Sequence, residues 1–284
     1  DILRFARAQV PPQQRVRFLD PALGTGSFYA ALQREFTPDA VDSAIGYEID
    51  EVVAQASENF WRASALTVIR SDFMNVEPPQ NVTLLPSLVI CNPPYVRHHH
   101  MDRASKAELQ RQVFEGTGRR LSGLAGLYCY FMLRSHAWMA DDGLALWLVP
   151  SEFLDVNYGR VIKDYLLDDV TLLRVHRFDP NDLQFDDALV SSVVVCYRKG
   201  RASGEYNAEF SYGGTLSHPT TVRSIPVSTL RREPKWTGLA TRSAGRSEST
   251  EHKMRLRDVF NIKRGLATGS NEFFVVSAEK AAKL

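Results

Sequence analysis

The chain is poor in the residues that mark extracellular and membrane proteins. It has three cysteines among 284 residues, and all three stand in apolar patterns without paired spacing, which argues against a disulfide framework and against a zinc site. No apolar run reaches the length of a membrane span, and no signal-peptide pattern is visible. Internal repeats and low-complexity tracts are absent as well. We therefore expect a cytoplasmic, globular protein with reduced cysteines in a full hydrophobic core.

The formal net charge is only +1, but the charges are unevenly distributed. Acidic residues outnumber basic ones in 1–96 and 135–197, and basic residues outnumber acidic ones in 97–134 and 198–264. An acidic body with two basic segments is typical of a protein that contacts a phosphate backbone on one side. A solvated charged surface is the alternative interpretation.

The most informative pattern is Asn92-Pro93-Pro94-Tyr95, which follows the apolar run 84–91. Proline fixes φ and has no backbone N–H, so two prolines hold the neighbouring carbonyls and the Asn92 amide in a rigid turn. Such a turn offers hydrogen-bond acceptors to a planar amine, and Tyr95 adds a ring that can stack on it. For the tetrapeptide taken alone, an ordinary turn is the alternative.

A second pattern places two glycines after a short predicted strand at 16–20. Gly24 and Gly26 allow the backbone to approach a ligand closely at the carboxyl end of that strand. Phe28 and Tyr29 stand where the third glycine of a dinucleotide motif would be, and no phosphate-binding lysine follows. The pattern therefore predicts a ligand loop that differs from both the dinucleotide motif and the P-loop.

Polar residues follow four predicted strands at spacings of one βα unit: Asp20, Glu48, Asp72 and Asn92. The carboxyl ends of parallel strands meet at one edge of a sheet, so we expect these residues to converge. A carboxylate there can accept hydrogen bonds from ribose hydroxyls, and Asp72 beside Phe73 suits an adenine ring. Three of these residues also have an ordinary structural explanation: a helix cap for Asp20, a solvated strand end for Glu48 and a core position for Phe73.

Together these motifs resemble the class I methyltransferases that use S-adenosyl-L-methionine, and in particular the amino-methylating DNA methyltransferases of restriction-modification systems. Residues 20–28 resemble the cofactor motif of that family. The tetrapeptide at 92–95 resembles its catalytic motif in the form associated with N6-adenine methylation, and the motif order resembles the gamma group. The resemblance implies a Rossmann-like α/β fold with a mostly parallel, seven-stranded sheet, followed by the start of a C-terminal recognition region.

The resemblance divides the chain into three parts. Residues 1–200 would form the cofactor-binding catalytic domain, with 96–125 as an insertion that faces DNA. Residues 201–255 would be a basic connecting region, and 256–284 would begin a truncated target-recognition domain. Related enzymes have a Thr-Pro segment before the point at which this chain begins, so we expect the chain to be a fragment.

The resemblance also implies roles for individual residues. The Asn92 side-chain oxygen and the Pro93 carbonyl would accept the two N6 hydrogens of an adenine turned out of the duplex, and Tyr95 and Tyr197 would stack on that base. The catalytic residues are Asn92, Pro93, Pro94 and Tyr95, and the cofactor contacts are Asp20, Pro21, Ala22, Gly24, Gly26, Phe28, Glu48, Ile49, Asp72, Phe73 and Asn92. The basic segments supply the expected DNA contacts Arg97, His98, Arg119, Arg120, Arg198 and Lys199. No metal is expected.

The expected reaction is therefore methyl transfer from S-adenosyl-L-methionine to adenine N6 in double-stranded DNA, with a restriction endonuclease as a partner or fused domain left open. One alternative is a glutamine N5-methyltransferase of the release-factor type, which has the same tetrapeptide. The insertion at 96–125 and the basic C-terminal region favour DNA instead. A further alternative is a DNA-binding subunit with an inactive methyltransferase fold.

Overall fold

The computed structural model describes residues 1–96, 102–179, 191–241 and 259–261. The chain divides into two compact units, Asp1–Arg242 and Ser243–Leu284, and the helices and strands discussed below belong to the first. In the described part of the chain, no helix combines the length and the apolar character needed to cross a membrane.

Strands and helices alternate along the first part of this unit. The strands are β1 (Val16–Asp20), β2 (Val41–Glu48), β3 (Leu66–Arg70), β4 (Leu88–Cys91), β5 (Leu144–Pro150), β6 (Val170–Arg177), β7 (Ser192–Lys199), β8 (Asn207–Gly214) and β9 (Pro219–Pro226). The helices are α1 (Ile2–Gln9), α2 (Ser27–Glu35), α3 (Glu51–Trp61), α4 (Arg103–Thr117), α5 (Leu127–Arg134), α6 (Gly159–Asp168) and α7 (Val227–Leu230).

The described strands form one sheet in the order β3-β2-β1-β4-β5-β7-β6-β8-β9. The first five strands are parallel, whereas β7 is antiparallel to both β5 and β6. β8 is parallel to β6 and antiparallel to β9. The edge at which β1 to β5 end is called the carboxyl edge below.

Hydrophobic cores cover both faces of the sheet, which is why its central strands are continuously apolar. All four residues of β4 are buried. One core contains Trp147 and packs beneath α5 and α6, and the other contains Phe18 and packs beneath α1 and α2. The four strands that carry the sequence motifs are thereby held rigidly in the middle and at one side of the sheet.

The expected α/β architecture is confirmed, but the described residues form nine strands where seven were expected. β8 and β9 extend the sheet beyond β6 and lie within 201–255, which the resemblance implies to be a connecting region. Exposed residues alternate along β9 with residues that are at least half-buried, as is typical of a strand with one face toward solvent. Apart from 259–261, residues 256–284 lie outside the described residues, and the expected domain division stays a prediction.

The chain returns to the carboxyl edge after β9. β9 itself ends at the opposite edge, because Pro226 pairs with Asn207 at the start of β8. Further on, the backbone N–H of Trp236 donates a hydrogen bond to the Leu154 carbonyl, 3.1 Å away, just past the end of β5. The segment between Pro226 and Trp236 therefore runs from the opposite edge of the sheet back to the carboxyl edge.

Candidate active site

The polar residues at the strand ends converge as expected. Asp20 is the last residue of β1, Glu48 is the last residue of β2, and Asn92 directly follows β4. Asp72 comes two residues after β3. Because β3, β2, β1 and β4 are parallel neighbours in that order, the four residues lie along one stretch of the carboxyl edge.

Glu48 holds the glycine loop that follows β1. Its Oε2 accepts a hydrogen bond from the Gly24 N–H, and its Oε1 accepts one from the Asp50 N–H, each at 2.9 Å. Gly24 and Gly26 have φ of +54° and +85°, a region in which other residues are strained. A Cβ at Gly24 would meet no atom within 4 Å. The loop therefore has open space beside it, and Glu48 sets its conformation.

Two side chains of α3 hold the same loop, and the sequence analysis missed both. Ser57 Oγ donates to the Gly24 carbonyl at 2.7 Å, and Trp61 Nε1 donates to the Thr25 carbonyl at 3.0 Å. A Cβ at Gly26 would lie 2.3 Å from Trp61 Nε1, so the indole requires glycine there. The available signal was the spacing, since residues four apart on a helix share a face.

Asp20 is enclosed by protein and is only 1 % exposed. Its Oδ1 accepts a hydrogen bond from the Ala22 N–H at 3.1 Å. Burial raises the pKa of Asp20 to about 7; the hydrogen bond from the Ala22 N–H opposes this rise, and the Glu48 carboxylate adds to it. The expected direct contact with a cofactor is therefore corrected to a supporting role within the loop.

Phe73 lies in the core and is 1 % exposed. Its ring packs against Trp138 and Tyr47, with centroid distances of 4.9 and 5.4 Å. Stacking on adenine would need a free face, so that expectation is wrong for Phe73. Asp72 caps the turn that buries this ring, since its Oδ1 accepts a hydrogen bond from the Met74 N–H at 2.9 Å. The Asp72 carboxylate itself stays half-buried at the carboxyl edge.

The other expected cofactor residues flank the loop. Ile49 directly follows β2 and is 69 % exposed. Pro21 is buried, whereas Ala22 and Phe28 are half-buried. Within this group of four, Ile49 offers the largest apolar surface to a ligand.

The tetrapeptide presents an acceptor without a partner. Asn92 Oδ1 is buried and receives no hydrogen bond, an arrangement that is rare and costs about 1–3 kcal/mol. Pro93 is buried and Pro94 is exposed. The Tyr95 hydroxyl donates to the Leu148 carbonyl at 3.2 Å, and burial raises the pKa of Tyr95 well above its ordinary value. An unsatisfied acceptor thus stands beside an anchored aromatic ring.

Tyr197 lies far from the tetrapeptide, at the opposite edge of the sheet. Because β7 is antiparallel to β5, Tyr197 pairs with Ala145 near the start of β5, whereas Pro150 at its end pairs with Ser192. Tyr197 is also completely buried. A base cannot stack on an enclosed ring, so the expected stacking role is wrong and Tyr197 belongs to the core.

Three of the expected DNA contacts bind other parts of the protein instead. Arg119 Nε donates to Asp169 Oδ2 at 2.7 Å. Arg198 donates to the Gln9 carbonyl, and Lys199 Nζ donates to a backbone carbonyl at 2.6 Å. Arg198 and Lys199 also lie at the edge opposite the tetrapeptide. The expected phosphate contacts of Arg198 and Lys199 are therefore corrected to structural roles, whereas that of Arg119 stays a prediction.

The other expected DNA contacts keep their status as predictions. Arg120 is exposed and lies over the Phe114 ring, 4.5 Å from its centroid. Arg97 and His98 lie outside the described residues.

Comparisons with known proteins show what this chain is similar to. Residues 87–184 match the family model described as Eco57I restriction-modification methylase, a stretch that includes the tetrapeptide. The chain resembles restriction-modification methyltransferases. It is 28 % identical over 265 residues to the Type II methyltransferase M.XamI of Xanthomonas campestris pv. amaranthicola, covering 91 % of this chain and 48 % of that protein. It is 26 % identical over 279 residues to M.AccI of Acinetobacter calcoaceticus, covering 93 % and 49 %.

The chain thus spans about half the length of the curated relatives it matches. Among solved structures it is similar to the type I restriction-modification methyltransferase subunit of Streptococcus thermophilus, with a TM-score of 0.61, 17 % identity and coverage of 74 % of this chain and 45 % of the other. The type IIG restriction endonuclease BpuSI gives a TM-score of 0.62, 18 % identity and coverage of 81 % and 30 %. These similarities confirm the Rossmann-like methyltransferase fold and the expected resemblance.

Proposed function

We propose that this chain carries the catalytic part of a DNA methyltransferase that transfers a methyl group from S-adenosyl-L-methionine to the N6 amine of an adenine turned out of the duplex. The observation that carries the proposal is the buried Asn92 Oδ1, which has no hydrogen-bond partner. An exocyclic amine would donate to it. Tyr95, anchored through its hydroxyl to Leu148, would stack on the base.

The glycine loop suits the cofactor. Open space beside Gly24, the Glu48 carboxylate and the exposed Ile49 stand together at the ends of β1 and β2. Glu48 would accept hydrogen bonds from ribose hydroxyls, because each of its oxygens has a second lone pair beyond the backbone N–H that it already binds. Ile49 would contact the adenine ring and Asp72 its amine. Bound S-adenosyl-L-methionine would supply the electrophilic methyl group.

The residues of the tetrapeptide would act on the substrate amine. The lone pair of an exocyclic amine is delocalised into the base, which makes the nitrogen a weak nucleophile. Hydrogen bonds from its two N–H groups to Asn92 Oδ1 and the Pro93 carbonyl would localise the lone pair on nitrogen and orient it toward the methyl group. DNA as the substrate is supported by the match to a restriction-modification methylase family model and by the similarity to Type II methyltransferases.

The test is transfer of tritium-labelled methyl groups to unmethylated bacterial genomic DNA, with a protein mixture as the parallel substrate. We expect label in DNA, recovered as N6-methyladenine by mass spectrometry. Asn92→Ala should lower the single-turnover rate at least about hundredfold and leave the cofactor dissociation constant within about twofold. Asn207→Ala, at an exposed position of β8, is the matched control. Label in protein alone, label in another base, or more than a few per cent of the rate in Asn92→Ala would contradict the proposal.

A further inference from the structure

A cleft of about 650 Å³ lies between α6 and the segment that leads from β9 back to the carboxyl edge. That segment, residues 227–236, is called the return segment below. The charged residues that line the cleft are the carboxylates Asp155, Asp164 and Glu233 and the cations Arg160, Lys163, Arg231, Arg232 and Lys235. Cations therefore outnumber carboxylates around this cleft.

The carboxylates of the cleft are already used by the protein. Asp155 Oδ1 accepts a hydrogen bond from the Thr237 N–H at 3.1 Å, Asp164 Oδ2 lies 3.8 Å from Arg160 Nε, and Glu233 also has an interaction within the chain. They are therefore unable to neutralise all five cations.

Lys163 is nearly enclosed and is 7 % exposed. Its Nζ donates to the Leu154 carbonyl at 3.1 Å and to the Pro234 carbonyl at 2.6 Å, whereas an ammonium group has three N–H donors. Burial lowers the pKa of Lys163, and the charges of Asp155 and Asp164 oppose this. In the described part of the chain no carboxylate forms a salt bridge with it. A buried cation without an adjacent anion is costly, so the cleft favours an anionic ligand.

Exposed cations stand on both walls of the cleft. Arg160 belongs to α6, and its side chain is 84 % exposed. Arg232 and Lys235 belong to the return segment and are also exposed. An ion pair as exposed as that of Arg160 with Asp164 contributes little, so Arg160 stays available to a ligand. Guanidinium groups bind two phosphate oxygens at once, and ammonium groups bind phosphate as point charges.

The cleft reaches the edge of the sheet that carries the tetrapeptide. Lys163 Nζ and the backbone N–H of Trp236 both donate to the Leu154 carbonyl, just past the end of β5. β5 is the neighbour of β4, which Asn92 follows. DNA carries one negative charge per about 1.7 Å of helix axis, a spacing that suits cations spread over two walls better than a single small anion does.

We propose that the cleft between α6 and the return segment binds the phosphate backbone of DNA beside the target base, with Arg160, Arg232 and Lys235 as the phosphate contacts. The proposal rests on the function proposed above, which supplies DNA as the substrate. The buried charge of Lys163 adds to the positive potential, because the protein around it screens charge less than water does. The basic segment 198–264 thus meets DNA through the return segment and not through the end of β7.

The test is the salt dependence of binding to a fluorescent DNA duplex, measured by anisotropy. Any duplex sequence serves, because phosphate contacts do not depend on sequence. The variants are Arg160→Gln, Arg232→Gln, Lys235→Gln and the triple combination. Arg201→Gln is the matched control, because Arg201 is an exposed cation just past the end of β7, at the opposite edge of the sheet. Circular dichroism and thermal unfolding establish that each variant is folded.

Each single variant should weaken duplex binding about five- to tenfold at about 0.1 M salt and reduce the slope of log affinity against log salt by about 0.9. The triple variant should reduce the slope by about three, and Arg201→Gln should behave like the wild type. A triple variant that binds like the wild type, an equal loss in the control, or no salt-dependent binding by the wild type would overturn the proposal. Binding of polyglutamate as tight as that of the duplex, lost in the triple variant, would assign the cleft to an acidic protein partner and overturn it as well.

Duplex binding and methyl transfer together separate this proposal from the function on which it rests. The variants should raise the DNA concentration needed for half the maximal methylation rate by the factor by which they weaken duplex binding. If the wild type transfers no methyl group to DNA while the triple variant loses duplex binding, the proposed function has failed and the DNA-binding cleft stands. If the wild type methylates DNA and the triple variant binds the duplex equally well, the cleft has failed and the proposed function stands.

Discussion

Trp147 donates a hydrogen bond from its indole nitrogen to the Tyr197 hydroxyl, 3.1 Å away. Both side chains are completely buried. They lie on neighbouring antiparallel strands, and Tyr165 of α6 packs edge-on against the Tyr197 ring at 5.7 Å. Tyr197 therefore joins the parallel half of the sheet to its antiparallel half.

Tyr197→Phe is expected to lower the free energy of unfolding by about 1–3 kcal/mol, because the Trp147 N–H would lose its buried acceptor. Methyl transfer should be unchanged in the folded variant. Tyr95→Phe, which removes a half-buried hydroxyl at the tetrapeptide, should show the smaller effect on stability. Urea unfolding and single-turnover transfer measure the two effects, and a Tyr197→Phe protein as stable as the wild type would contradict the assignment.

Trp61→Phe is expected to weaken cofactor binding by about three- to tenfold, because the Thr25 carbonyl would lose its indole donor and the loop would be held less firmly. Asn59→Ala is the control, since Asn59 lies on the same helix and is exposed. Calorimetry with S-adenosyl-L-methionine measures both variants. Equal affinities in the two proteins would show that the indole only packs against the loop.

Glu48→Gln is expected to weaken cofactor binding at least about tenfold. The carboxylate accepts two backbone N–H groups, whereas an amide has one oxygen and would place its own N–H₂ against the second donor. Glu51→Gln, at the exposed start of α3, is the matched control. Calorimetry together with circular dichroism separates binding from folding. Unaltered affinity in Glu48→Gln would reject the role of Glu48 in the loop.

The protein should lose stability in acid through His176. This side chain is 0 % exposed, with Nδ1 2.9 Å from Ser211 Oγ. Burial, and after it the charge of Arg174, lowers the pKa of His176 to about 4 from an ordinary 6.5. The unfolded chain thus takes up this proton more readily. The contribution of neutral His176 to the free energy of unfolding is complete above about pH 6.5 and is lost as the pH falls through about 4.

Replacement of the buried histidine tests this dependence. His176→Gln should show a shallower loss of unfolding free energy between pH 7.5 and pH 4.5 than the wild type, measured by urea unfolding. His218→Gln, at an exposed position, should follow the wild-type dependence. Parallel curves for all three proteins would show that other groups cause the acid sensitivity.

The sequence alone determined the frame of the candidate site. Apolar runs separated by one βα unit predicted parallel strands, and β1 has the predicted bounds, Val16–Asp20. Residues that follow such strands must meet at one edge. For that reason the neighbourhood of Asp20, Glu48, Asp72 and Asn92 was predictable, as was the family resemblance that depends on these motifs.

The tertiary structure alone decided which side chains face that edge. An aromatic residue after a strand has the same local pattern whether it meets a ligand or the core, and Phe73 is enclosed while Ile49 is free. Tyr197 lies near the end of β7 and Asp20 ends β1, but β7 is antiparallel to β5, so the end of β7 lies at the opposite edge of the sheet. The period of apolar residues along the chain predicts the type of element and which of its faces is buried. Strand direction and the neighbours of a buried group depend on contacts between residues distant in the chain, such as those of Trp61 with the glycine loop.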